Sequence, residues 1–124
     1  MLKVSRDSAE HVEDHGLVTD RHQDGHGYTI NFITFNADVD GTPMLKGLPG
    51  DQCSCPHWGY VISGSIVVRY ADGTEEMNRA GDFYYWPGGH TGWTDEGVTF
   101  VEFSPAAELR PVLEHIGMQL AHAR

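Results

Sequence analysis

Five consecutive residues, Cys53-Ser54-Cys55-Pro56-His57, carry two thiols and an imidazole, and the chain then enters the apolar segment Trp58-Gly59-Tyr60-Val61-Ile62. In an extended segment side chains alternate between the two faces, so Cys53, Cys55 and His57 are expected to point one way and Ser54, Pro56 and Trp58 the other. Thiolate and imidazole are ligands that a borderline transition metal takes. His90, in Pro87-Gly88-Gly89-His90, is the candidate fourth ligand. Two thiolates and two imidazoles suit tetrahedral zinc, while iron or copper with the same ligands would bring oxygen chemistry. A closed set of four protein ligands is the mark of a structural zinc. Release of one cysteine would leave three ligands and a water, and with them hydrolytic or lyase chemistry.

Taken singly, either cysteine reads as a small buried hydrophobe; the pairing with His57 is what points to a metal. A disulfide between them would close a very small, strained loop. As free thiols they would also permit a redox sensor. The aromatic residues Tyr60, Phe83, Tyr84, Tyr85, Trp86 and Trp93 crowd the same two stretches. Tyr60, Tyr85, Trp86 and Trp93 are the candidate pocket residues, able to line a site for a flat or apolar small molecule. His11, His15, His22, His26, His115 and His122 stand in polar surroundings and read as surface residues. No Ser-His-Asp order, phosphate loop or close carboxylate pair is evident, so no catalytic residue is singled out. Glu75-Glu76 and Asp95-Glu96 read as solvated positions.

The elements that must position these groups are short strands. Tyr28 to Phe35 is rich in β-branched and aromatic residues, and its apolar parity switches between Phe32 and Ile33, which predicts a bulge or burial of both faces. Trp58 to Ile62 and Ser65 to Tyr70 are predicted as two strands joined by a turn at Ser63-Gly64. Asp72-Gly73 signals a hairpin with a primed turn, and Glu75 to Arg79 returns. Phe83 to Trp86 and Val98 to Phe103 follow. Residues 1–27 read as one short strand plus loops, and Asp38 to Gly50, with three glycines and two prolines, as turns. Ser104-Pro105 reads as the start of a short turn. Pro111 would break a helix begun there, so the main helix is predicted from about 111 to 121, with Val112, Leu113, Ile116 and Leu120 as its apolar stripe. Short antiparallel strands at this spacing predict an all-β sandwich or barrel with a C-terminal α-helix.

The chain of 124 residues predicts one domain, 1–124. Its formal charge of −10 argues against nucleic acid, which needs clustered Lys and Arg. No apolar run approaches the roughly 18–20 residues of a membrane span. Met1 to Asp7 has no apolar core of a secretory signal, and a cytoplasmic chain is expected.

Residues 47–103 resemble the cupin superfamily, specifically its small single-domain members. The first cupin motif reads Gly, five residues, His-x-His, three or four residues, Glu, six residues, Gly. Here Gly47 is followed by five residues and Cys53-Ser54-Cys55, and His57 by six residues and Gly64. Cys53, Cys55 and His57 thus stand where the family has His, His and Glu, with one residue in the second gap. The second motif reads Gly, five residues, Pro-x-Gly, two residues, His. Here Gly81 is followed by five residues and Pro87-Gly88-Gly89, with His90 two residues early. A two-residue shift keeps strand parity. The resemblance implies a cupin-type β-barrel or jelly roll with a metal in the barrel, a homodimer, and a small-molecule ligand. It further implies a metal-dependent enzyme (oxygenase, lyase, isomerase or hydrolase), or alternatively a non-catalytic binding module with a structural zinc.

Overall fold

The computed structural model describes residues 2–122. Strands β1 (His11–Asp14), β2 (Val18–Gly25) and β3 (Tyr28–Phe35) form an antiparallel meander. A short helix α1 (Thr42–Leu45) and a 3-10 turn at Pro49–Asp51 lead to β4 (His57–Tyr70). Strands β5 (Glu75–Arg79), β6 (Phe83–Trp86), β7 (His90–Trp93) and β8 (Val98–Pro105) follow, and helix α2 (Ala106–His122) ends the chain. β3 pairs with β8, and β8 with the first half of β4, whose other edge carries β6. The second half of β4 pairs with β5 and β7. The result is the all-β architecture with a C-terminal helix that the sequence predicts.

Several boundaries differ from expectation, each for a physical reason. β4 is one strand of 14 residues. Ser63-Gly64 is not a turn: both residues pair with β8 just after a register shift between Val61 and Ser63, and the one strand serves two sheets. β3 has no bulge: it pairs in unbroken register on both sides. Its parity switch marks burial of both faces. The β4–β5 hairpin forms, but of its Asp72-Gly73 pair only Gly73 has positive φ, so the turn is not the primed two-residue type. That type appears instead between β2 and β3, where Gly25 pairs with Tyr28 and the intervening His26 and Gly27 have φ of 54° and 84°. α2 starts at Ala106, whose amide donates to the Gly27 carbonyl (2.9 Å). Pro105 closes β8, and Pro111 is carried inside the helix, where it forgoes one backbone hydrogen bond.

The core has three clusters. Val61, Ile66, Val68, Tyr84, Trp86, Val98 and Phe100 fill the barrel. α2 lays Leu109 and Val112 against Leu45, Cys53 and Cys55, with Leu113 and Ile116 packed beside them. Leu120 joins Val18, Val39 and Met44. Each such buried aliphatic side chain contributes about 1.5–3 kcal/mol, and together they fix α2 as one wall of the interior.

Candidate metal centre

Three of the four expected ligands converge. The thiol of Cys53 and ring nitrogens of His57 and His90 lie within 4.8 Å of one another, and all three residues are buried. The Cys53 sulfur is 3.4 Å from His57 Nε2. Backbone pairing sets Cys53 beside His90: the Cys53 amide donates to the His90 carbonyl (2.8 Å), and the His90 and Gly89 amides donate back to the Cys53 carbonyl (3.2 and 2.7 Å). This approach needs a glycine at 88, because a Cβ there would run into the Ser54 carbonyl. His57 enters as the first residue of β4, opposite Trp86 on β6.

The ring orientations suit a metal. His90 Nδ1 stands 2.8 Å from the Pro87 carbonyl, which can only accept, so the proton sits on Nδ1 and Nε2 keeps its lone pair. His57 Nδ1 faces Ser104 Oγ at 2.6 Å and Glu102 Oε2 at 3.2 Å, leaving Nε2 toward Cys53. Carboxyl and hydroxyl partners of this kind orient a ligating imidazole. Glu102 is itself held by the Tyr84 hydroxyl, which donates to Oε1 (2.7 Å). Tyr84 stacks on Trp86 at 3.7 Å, and Trp86 meets the His57 ring edge-on. Gly59 leaves the room for this arrangement, since a Cβ there would overlap the Tyr84 hydroxyl and lie 2.6 Å from the Val101 carbonyl.

Burial sets the protonation states. It lowers His57, with His90 adding to the effect, and it lowers His90 against the raising influence of the Pro87 carbonyl. Both imidazoles are therefore neutral and ready to ligate near pH 7. Burial pushes the Cys53 thiol up to about 12, so a metal must displace its proton. Burial also raises Glu102 to about 8, with the Tyr84 hydrogen bond opposing and Asp20 reinforcing. The donor set of one thiolate and two imidazoles fits zinc or a similar transition metal.

Cys55 does not join them. The chain bends at Cys55, and β4 begins only at His57, so the alternation of an extended strand does not reach back to Cys53. The Cys55 side chain sits in the apolar cluster with Leu45, Leu109 and Val112 and also meets Ser104. Its thiol lies against the Pro56 carbonyl (3.4 Å) and is also pushed up to about 12 by burial. Of the pocket candidates, Trp86 lines the interior cavity. Tyr60 and Tyr85 stand on the outer face, exposed, because the inward positions of β4 and β6 are His57, Gly59 and Val61, and Tyr84 and Trp86. Trp93 lies outside the lining, with the Arg69 guanidinium 5.0 Å above its ring. Tyr84 was named only among the crowding aromatic residues, and Glu102, Ser104, Asn31 and Asp20 were not anticipated. Their signal is a polar residue at an inward position of a strand whose other inward positions are apolar, as in Val98, Phe100, Glu102 on β8.

Cys53, His57 and His90 form part of the wall of a partly open cavity of about 130 Å³ between the strands, α1 and α2. No family model matches this sequence, and no curated protein does. Solved structures do. An RmlC-like cupin from Shewanella frigidimarina NCIMB 400 is 22% identical, over 77% of this chain and 84% of that one, with a TM-score of 0.59. The polyketide cyclase RemF from Streptomyces resistomycificus is 16% identical, over 85% and 79%, with a TM-score of 0.60. The EutQ protein of Clostridium difficile is 18% identical, over 92% and 82%, with a TM-score of 0.57. The chain has the cupin fold. No helix among the described residues is long and apolar enough to cross a membrane.

Proposed function

We propose that this chain is a metal-dependent enzyme acting on a small molecule, with Cys53, His57 and His90 as the protein ligands of a zinc ion. The observation that carries this reading is that three ligands, not four, converge on the wall of a cavity. Three protein ligands with an open position distinguish catalytic zinc from structural zinc. A zinc held there would supply Lewis acidity and an activated water; iron or copper would supply oxygen chemistry. The chain's own residues do the positioning. Glu102 and Ser104 hold the His57 ring, Tyr84 holds Glu102, and Leu109, Val112 and Ile116 of α2 supply an apolar wall of the cavity. The two cysteines are free, as suits a reducing, cytoplasmic setting.

The homodimer also remains a proposal, and the outer face of the larger sheet supports it. Tyr28, Tyr60, Ile62, Phe83, Tyr85 and Phe103 are exposed there, with Trp58 stacked on Phe103 and against Tyr85. These positions carry no charge on a chain whose formal charge is −10.

Elemental analysis of protein purified without added metal or chelator tests the metal reading. About one zinc per chain, lost in Cys53→Ser and His57→Ala and kept in Cys55→Ser, is expected. Zinc lost in Cys55→Ser as well, together with a collapse of thermal stability, would favour a structural site instead. Absence of bound metal from the purified chain, with none taken up on adding zinc, iron or copper, would overturn the reading.

A further inference from the structure

The cavity beside the three ligands has a size, a wall and a charge, and together these define what it admits. At about 130 Å³ it is slightly smaller than the cavity of about 150 Å³ that holds benzene in an engineered protein. It therefore takes a body of about the size of one six-membered ring. Most of its wall is hydrocarbon: Ile33, Phe35, Ile66, Val68 and Phe100 from the strands, with the apolar stripe of α2 opposite. Among the described residues no Lys or Arg lines it, whereas Glu13, Asp20 and Glu102 do. A carboxylate or phosphate on the occupant would be desolvated against a mostly hydrocarbon wall, with no guanidinium or ammonium among the described lining residues to pair with. Two lining residues also keep buried polar atoms without a hydrogen-bond partner, Trp86 Nε1 and Asn31 Oδ1. Buried polar groups are ordinarily paired, so the polar end of the cavity is short of partners.

We propose that the substrate is a neutral, mostly apolar molecule of about the size of a single aromatic ring, carrying one hydroxyl or carbonyl group, and not an organic anion. This deepens the reading of the cavity as the reaction site and rests on it. The apolar body lies among Ile66, Val68 and Phe100, and the polar group lies toward Trp86, Asn31 and the metal ligands.

The probes are benzyl alcohol and benzoate, titrated into the metal-free and the zinc-loaded chain. The readout is the Trp86 indole N–H resonance, assigned by its loss in Trp86→Phe. Benzyl alcohol is expected to shift this resonance in both forms, with benzoate at least tenfold weaker in the metal-free chain. Val68→Phe, which fills the cavity, is expected to weaken benzyl alcohol at least tenfold. Benzoate binding as tightly as benzyl alcohol to the metal-free chain would overturn the proposal, and so would the absence of any shift with benzyl alcohol. If Val68→Phe does not fold, the comparison of the two probes on the wild-type chain decides alone. Benzyl alcohol binding by a chain that takes up no metal would overturn the metal reading and leave this one standing. Zinc uptake without any response to benzyl alcohol would do the reverse.

Discussion

Zinc affinity should depend on pH through one cysteine and not the other. Burial holds the Cys53 thiol at about 12, and a thiol must lose its proton to ligate. At pH 7 that proton is five pH units from leaving unaided, a cost on the order of 7 kcal/mol. Structural zinc sites in peptides deliver about 10–16 kcal/mol, enough to displace it, so binding occurs with one thiol proton released. Each unit of rising pH then strengthens binding about tenfold. His57 and His90 are lowered by burial and enter neutral, adding no proton near pH 7. Any release from Glu102 is common to wild type and the cysteine variants, so their difference isolates the thiol. The assay is competition with a chelator of known affinity at pH 6, 7 and 8. Wild type and Cys55→Ser should rise with one slope, and Cys53→Ser should be shallower by one decade of affinity per pH unit. An equal loss of slope in Cys55→Ser would show that Cys55 swings into the site and closes it. An unchanged slope in Cys53→Ser would remove Cys53 from the ligand set and refute the geometry.

Three further outcomes follow from the same contacts. Glu102 is raised from 4.5 to about 8 in the folded chain, so its contribution to stability is complete below about pH 4.5 and lost as pH rises toward 8. Denaturant titrations of metal-free protein should show that loss, on the order of 5 kcal/mol, and Glu102→Gln should flatten it; an equally steep fall in the variant would refute the assignment. Gly59→Ala forces a methyl into the Tyr84 hydroxyl and the Val101 carbonyl and should cost about 3 kcal/mol of unfolding free energy, whereas a loss under 0.5 kcal/mol would show that the Tyr84–Glu102 contact can shift freely. Phe83→Asp places a charge on the exposed aromatic face and should turn a dimer into a monomer by analytical ultracentrifugation, with the melting temperature of the isolated chain little changed; a wild-type chain that sediments as a monomer would refute the interface.

What was legible in the sequence and what was not divide along a physical line. β3 and β6 were readable to the residue because their side chains carry strand-forming types bounded by turn residues, and β5, poor in such types, because the Asp72-Gly73 hairpin signal calls for a returning strand. β2 was not, because Asp20 and His22 follow Val18 on its inner side, and a strand with polar inward positions looks like a loop. Asn31 on β3 and Glu102 on β8 interrupt their inward rows in the same way. The Cys53 and Cys55 parity failed for a different reason: the rule holds only within a strand, and the bend before His57 lies outside one. Cys53 nevertheless reached His57 and His90, because its backbone bonds to His90, not its strand parity, place it. The inward charges that hid β2 are thus of the same kind as those that build the site. A buried carboxyl such as Glu102 is costly unless its neighbours satisfy it, and here Tyr84 and His57 do. An acidic residue at an inward position of an apolar strand is therefore best read as a site marker, with its hydrogen-bond partner to be sought on the adjacent strands. Applied to β8 alone, that reading finds Glu102 and leads through its contacts to His57.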